Sequence, residues 1–248
     1  MDASKVVLVT GGMGGLGTAI CRRLSTDGYR VAAAYSPRHR TPQAWLAAQR
    51  DEGYRFNSYQ VDAADYADAE WMVQKVLAEM GRIDVLVNNV GVLCDRSLSN
   101  MSADDWHGVL RANLDSVFNM SKQVIDSMSE RHWGRIINIS SVTAQSGAFG
   151  QSNYAAAMAG MHGFTKSLAL EVARVGITVN TVSPGYLRSR VSEQIAPERM
   201  ADTILPAIPV GRLGEPAEVA ALVAYLSSDL AGFVTGANIA INGGQHTC

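Results

Sequence analysis

The sequence has no acidic residue between Asp27 and Asp51, and no formally charged residue between Arg135 and Lys166. It is also poor in cysteine. Cys21, Cys94 and Cys248 are odd in number, far apart and in no metal-ligand spacing, which argues against a disulfide framework and against a metal centre. A reducing compartment, the cytoplasm, is the expectation. An excess of either charge is missing too: the net charge of -2 offers no electrostatic case for nucleic acid or a membrane surface. The long uncharged run is no membrane span, because polar residues from Asn138 to Asn153 interrupt it too often. The opening MDASKVVLVTGG enters a strand pattern within five residues and leaves no room for a signal segment. The expected partner is therefore a small molecule, with no nucleic acid and no membrane.

What is present is a globular α/β pattern. With 248 residues, 47% of them hydrophobic and 18% charged, residues 1–248 suffice for one domain with a sizeable core. Short valine-rich runs alternate with helical stretches. Strands are expected at 5–10, 29–34, 56–61, 85–87, 135–139, 178–182 and 234–241. Helices are expected from the glycines to about Asp27, then at 41–52, 66–80, 103–128 with a break near Asn113, and 153–175. This alternation predicts a single-domain Rossmann fold, with a doubly wound, mainly parallel, seven-stranded sheet and helices on both faces. The rhythm fails only from Pro184 to Pro216, where five prolines and an Arg-Ser-Arg triplet fill a gap longer than an ordinary loop.

The first strand runs into Gly11, Gly12, Gly14, Gly15, Leu16 and Gly17. Glycines between a strand and a helix allow a tight turn, and let the backbone approach a pyrophosphate seated on the helix N–H groups. Glycine-rich turns also serve mere packing, and it is the strand–helix context that favours the cofactor reading. The acid-free stretch bears on which cofactor. A carboxylate after the second strand would hold the ribose hydroxyls and repel a 2′-phosphate; here stand Tyr35, Ser36, Arg38 and Arg40 instead. That composition favours NADP(H), with a solvated basic loop as the alternative.

TGGMGGLG near the N-terminus, NNVG at 88–91, and Ser141 followed thirteen residues later by Tyr154 together resemble the short-chain dehydrogenase/reductase family over the full length of the chain. The resemblance implies a nicotinamide-dependent oxidoreductase. It places Asp62 at the adenine, Asn89 and Gly91 in the family's NNAG motif, and Pro184, Gly185 and Ser189 along the cofactor. Val90 departs from the motif's alanine and crowds the cofactor slightly. In the family, Asn113 holds a water chain, Ser141 polarises the carbonyl and Tyr154 is the acid. Hydride transfer to a ketone develops negative charge on oxygen, which such donors suit. The 184–216 segment is expected to form small helices as a substrate lid. A homotetramer is implied as well, with the helices starting near Ala103 and at Asn153 pairing across two-fold axes.

One position breaks the family pattern. Its signature is Tyr-x-x-x-Lys, whose lysine grips the nicotinamide ribose and lowers the tyrosine pKa, and here Met158 stands in its place. Lys166 lies twelve residues from Tyr154, roughly 18 Å along a helix, and cannot substitute. Loss of the charge leaves Tyr154 a protonated phenol near its free value. Three readings of Met158 stay open: an introduced or chance replacement, a natural loss of activity, and slow turnover by the remaining groups.

Within the family, SSVTAQSGAFGQSNY and the tail NGGQH resemble the acetoacetyl-CoA reductases of polyhydroxyalkanoate synthesis. By that resemblance Phe149, Gln151 and Tyr186 hold the acyl and pantetheine parts of an acyl-CoA thioester. Ala148 replaces a larger polar residue, and Arg188, Arg190 and Arg199 are candidates for CoA phosphates. The expected reaction is NADPH-dependent reduction of a 3-oxoacyl thioester to the (R)-3-hydroxyacyl thioester, impaired at Met158. The alternatives are a 3-oxoacyl-[acyl carrier protein] reductase and a non-catalytic NADP-binding subunit.

Overall fold

The computed structural model describes residues 4–189 and 192–247. Its strands are β1 (Val6–Val9), β2 (Arg30–Tyr35), β3 (Asn57–Gln60), β4 (Val85–Asn88), β5 (Gly134–Ile139), β6 (Ile177–Pro184) and β7 (Asn238–Ile241). They form one sheet in the order β3-β2-β1-β4-β5-β6-β7, and every neighbouring pair is parallel. The sheet is thus fully rather than mainly parallel. Strand order reverses between β1 and β4, and the carboxyl ends of these two strands open the crevice where such sheets bind ligands.

The helices between strands are α1 (Gly15–Thr26), α2 (Pro42–Asp51), α3 (Tyr66–Met80), α4 (Ala103–Leu110), α5 (Ser116–Glu130), α6 (Thr143–Ser146), α7 (Ser152–Val172), α8 (Pro197–Arg199) and α9 (Pro216–Ser227). Because successive strand side chains point to opposite faces, the core splits in two. Val6, Leu8, Leu86, Ile136 and Val179 pack against α3, α5 and α7 through Met72, Met120, Val124 and Leu168. Val7, Val9, Val85, Val87, Ile137 and Val182 pack against α1 and α9 through Ile20, Leu24, Val219 and Val223. Each such buried side chain contributes about 1.5–3 kcal/mol relative to exposure, so the two layers hold the strand ends, and the crevice, in fixed register.

Several boundaries differ from the sequence reading, and α9 is an element it did not include. The 103–128 helix is broken as expected, but by a π-helical turn at Arg111–Asp115, and α5 continues to Glu130. The closing strand begins at Asn238 rather than Val234. Asn180 holds the preceding segment in a turn, donating to the Val234 carbonyl at 2.7 Å and accepting from the Ala237 N–H at 3.1 Å, while Gly236 takes a φ of +71°.

From Pro184 to Pro216 the chain makes short helical pieces around a small cluster of Ile204, Ile208 and Leu213. Leu187 bridges to Gly214, which ties the two ends of the segment together. Cys21 and Cys94 are both unpaired thiols, and no group of metal ligands occurs among the described residues. No helix there is long and apolar enough to cross a membrane.

Candidate active site

The glycine turn after β1 is shaped by what its neighbours leave no room for. A Cβ on Gly17 would run into the Gly11 carbonyl oxygen, and one on Gly12 would sit 3.1 Å from the Ala33 Cα. Gly11 has a φ of +61°, which side chains rarely tolerate, and the space beside Gly15 is open. The N-cap Gly14 offers no side-chain hydrogen bond, so the first-turn N–H groups of α1 remain available to an anion. Asn89 locks the turn to β4: its N–H donates to Thr10 Oγ1 at 2.9 Å, and its amide donates to the carbonyls of Thr10 (3.1 Å) and Gly11 (3.3 Å).

At the end of β2, Tyr35 meets His39 edge-on at 6.0 Å, and the His39 N–H closes a turn onto the Ser36 carbonyl at 2.8 Å. Arg38 and Arg40 are exposed, and neither has a carboxylate partner among the described residues. Asp62 is exposed at the end of β3, with its carboxylate 3.8 Å from Arg111.

Asn113 is fully buried in the π-turn and does three things there. Its Oδ1 accepts from the Val92 N–H at 2.9 Å, and its Nδ2 donates to the carbonyls of Val92 (3.0 Å) and Val109 (2.9 Å). It therefore fastens the segment that leaves Gly91, whose missing Cβ would lie 3.5 Å from the same Oδ1.

Ser141 follows β5 and Tyr154 lies in the first turn of α7. The fold brings their hydroxyl groups near enough for Ser141 to act on the Tyr154 phenol. The Thr143 N–H also donates to Ser141 Oγ at 3.2 Å, which fixes that hydroxyl. Burial pushes the Tyr154 phenol above its ordinary value; the Ser141 hydroxyl opposes the shift, and the nearby Asp95 carboxylate adds to it. The sequence expectation of a near-free value is thus corrected upward, because desolvation disfavours phenolate and the charge acting on it, that of Asp95, is negative.

Met158 is 1% exposed. It packs with Val117 and Met161, against Leu114, Ala144 and Tyr154. It contributes to the wall beneath the tyrosine and not to its charge.

The other expected site residues divide. Gln151 donates to Asp95 at 3.0 Å, one turn before Tyr154, whereas Phe149 is 95% exposed. Pro184 ends β6, and Gly185 donates to the Ile241 carbonyl at 3.1 Å; a Cβ there would meet Gln245 Oε1 at 2.6 Å. The Tyr186 N–H donates to the same Gln245 oxygen. Ser189 exchanges hydrogen bonds with Ser192. Arg188 is not free for a phosphate: Glu215 accepts from it at 2.8 Å. Arg199 is exposed on α8, and Arg190 lies outside the described residues. A cavity of about 130 Å³ between Leu187, Ile208, Val219 and Ile241 is lined by neither Ser141 nor Tyr154.

Sequence reasoning missed a buried polar ladder behind the site. Asn88 donates to Asn138 at 2.8 Å, Asn138 to Thr165 at 2.8 Å, and Thr181 to Thr165 at 2.8 Å. It also missed Ser140 and His162, whose Oγ and Nε2 are 3.0 Å apart. Polar residues at inward positions of strands β4 to β6 were the available signal.

The strand order defines a Rossmann-like, doubly wound α/β protein. The chain belongs to the short chain dehydrogenase family, whose model matches residues 5–200. It is 48% identical to an acetoacetyl-CoA reductase of Cupriavidus necator, over 98% of both chains. It is 46% identical to nodulation protein G of Azospirillum brasilense, again over 98% of both. With a 3-oxoacyl-[acyl-carrier-protein] reductase of Escherichia coli it shares 40% identity, over 98% of this chain and 97% of that one.

Proposed function

We propose that this chain is an NADPH-dependent reductase of 3-oxoacyl thioesters, acetoacetyl-CoA first among them, giving the (R)-3-hydroxyacyl thioester at a rate held down by Met158. The observation that carries the reading is the placing of Ser141 beside the Tyr154 phenol at the carboxyl end of β5, in a chain matching an acetoacetyl-CoA reductase over 98% of both lengths. Support for a dinucleotide comes from the glycine turn, which a single Cβ would fill, and from the uncapped start of α1. Unpaired Arg38 and Arg40 favour a 2′-phosphate, so NADP(H) is the proposed cofactor.

A bound nicotinamide supplies the hydride. The chain's own residues do the rest. Ser141 and Tyr154 donate hydrogen bonds to the ketone oxygen as negative charge gathers on it, and Tyr154 Oη then gives up its proton to complete the alcohol. The raised phenol pKa keeps that proton in place at neutral pH but makes the transfer slower. The exposed Phe149, with Gln151 and Tyr186, is the proposed hold on the thioester. The proposed arrangement is one domain over 1–248, with 184–216 as a lid, assembled as a homotetramer.

Met158 also favours a second reading, a non-catalytic NADP-binding subunit. NADPH oxidation by the purified chain with acetoacetyl-CoA, run beside Met158→Lys, separates the two: the reductase reading requires turnover, and the subunit reading requires none in either protein.

A further inference from the structure

The chain has no charged group from Arg135 to Lys166, but it has one titratable side chain in that run that the reaction does not use. His162 stands one helical turn beyond Met158 on α7, half-buried, with its ring turned into the sheet. Its Nε2 lies 3.0 Å from Ser140 Oγ, at the end of β5, and 3.4 Å from Ser183 Oγ, near the end of β6.

Proton counting bears on the direction of these contacts. A serine hydroxyl has a single proton. Ser140 Oγ donates its own to the Met158 carbonyl at 3.2 Å, and a carbonyl can only accept. Ser183 Oγ donates to Asn238 Oδ1, on β7, at 2.6 Å. With the two serine protons so placed, both hydroxyls face the imidazole as acceptors, and the hydrogen is assigned to Nε2.

We propose that His162 is a positioning residue: its Nε2–H clasps the carboxyl ends of β5 and β6 to α7 and so sets Ser141 against Tyr154. Ser140 is the chain neighbour of Ser141, and Ser183 is the neighbour of Pro184. Ser140 holds the carbonyl of residue 158 and the ring of residue 162, two points of one helical turn. The same strand ends are joined by the Val142 N–H, which donates to the Pro184 carbonyl at 2.8 Å, and by Thr143 on Ser141. The Met158 side chain brings no polar group to this junction, and the clasp adds, nearer the site, to the Thr165 hydrogen bonds that tie α7 to β5 and β6. The proposal rests on the reductase reading for its effect on rate, though not for its geometry.

The groups around the ring are uncharged on the strand side: Ser140 from β5, Ser183 from β6 and, through Ser183, Asn238 from β7. On α7 the charged neighbour is Lys166, which with burial lowers the His162 pKa and keeps the ring neutral near pH 7. A neutral ring and a cation both keep hydrogen on Nε2, so acidification does not open the clasp.

The test uses His162→Leu, which lacks the donor, and His162→Gln, whose amide nitrogen mimics Nε2–H. Long-range proton–nitrogen correlation spectra of the parent should report the Nε2–H tautomer at pH 7.5. Native-state exchange at the Val142 and Thr143 N–H groups should quicken by at least about tenfold in His162→Leu and return to within about threefold of the parent in His162→Gln. In the Met158→Lys background, His162→Leu should lower kcat by up to about a hundredfold, the scale of a misplaced reacting group, with KM for acetoacetyl-CoA little changed. His162→Gln should restore most of it. An Nδ1–H tautomer, or unaltered exchange in a folded His162→Leu protein, overturns the proposal whether or not the chain is active. Absence of turnover in every variant, with the exchange changes as stated, sinks the reductase reading and leaves the clasp.

Discussion

Met158→Lys is the perturbation that bears most directly on whether the site works. A unit charge about 4 Å from the Tyr154 phenol, at an effective dielectric of about 20, is worth about 4 kcal/mol, or roughly three pKa units. Here the phenol starts above its ordinary value, through burial and Asp95, so the lysine has more to correct than sequence suggested. The gain in reduction of acetoacetyl-CoA should reach at least about two orders of magnitude, the scale of a positioned acid–base group. The location sets an opposing cost. Met158 is 1% exposed, among Val117, Met161 and Tyr154, so a lysine must thread its stem through that cluster to bring its ammonium to the crevice. Disturbed packing of this kind costs about 1–3 kcal/mol, and for a chain this long each kcal/mol lowers Tm by roughly 2–4 °C. The variant should be faster yet less heat-stable, with part of the loss recovered when NADPH is added. At any one pH the reaction's equilibrium ties forward and reverse efficiencies together. The pH profile can still move: alcohol oxidation needs phenolate, so in the parent it should rise only at more alkaline pH than in the variant. A Met158→Lys protein that is folded, binds NADPH and gains nothing would falsify the impaired-reductase reading in favour of the non-catalytic subunit.

Other outcomes follow from the same geometry. NADPH should bind more tightly than NADH, and the preference should shrink in Arg38→Ala/Arg40→Ala; equal titration curves for the two cofactors on the parent refute the 2′-phosphate assignment. Gly17→Ala should abolish NADPH binding, because its Cβ meets the Gly11 carbonyl; unchanged affinity in a folded variant defeats the glycine-turn role. Light scattering should report a tetramer, and a mass near 26.5 kDa at micromolar concentration rules it out. Arg212 and the Glu215 N–H hold the Glu218 carboxyl down to about 2, from an ordinary 4.5. A depressed carboxyl stabilises the fold above its unfolded pKa and loses that effect as pH falls through the folded one. Stability should therefore drop between about pH 4.5 and 2, less so in Glu218→Gln, and identical acid limbs would show that Glu218 contributes nothing.

Local order made much of this protein legible in its sequence alone. Valine runs of strand length alternating with helical stretches specify a doubly wound sheet, because each strand must be buried on both faces. The glycines between β1 and α1 disclose their turn, where Gly12 and Gly17 leave no room for a Cβ and Gly11 takes a positive φ. Ser141 and Tyr154 are paired through the resemblance to the family, and it is against the family signature that Met158 stands out. Tertiary structure decided what depends on partners distant in the chain. The closing strand starts at Asn238 because Asn180, on β6, holds the turn before it. Arg188 is neutralised by Glu215, which no local pattern announces. The Tyr154 pKa rises through burial and through Asp95, brought close by the fold. The hydrogen bond proposed for His162 depends on two serines at the ends of different strands and on where each sends its single proton. Hydrogen bonds and desolvation are settled by which groups finally meet, and that is known only when the chain has folded.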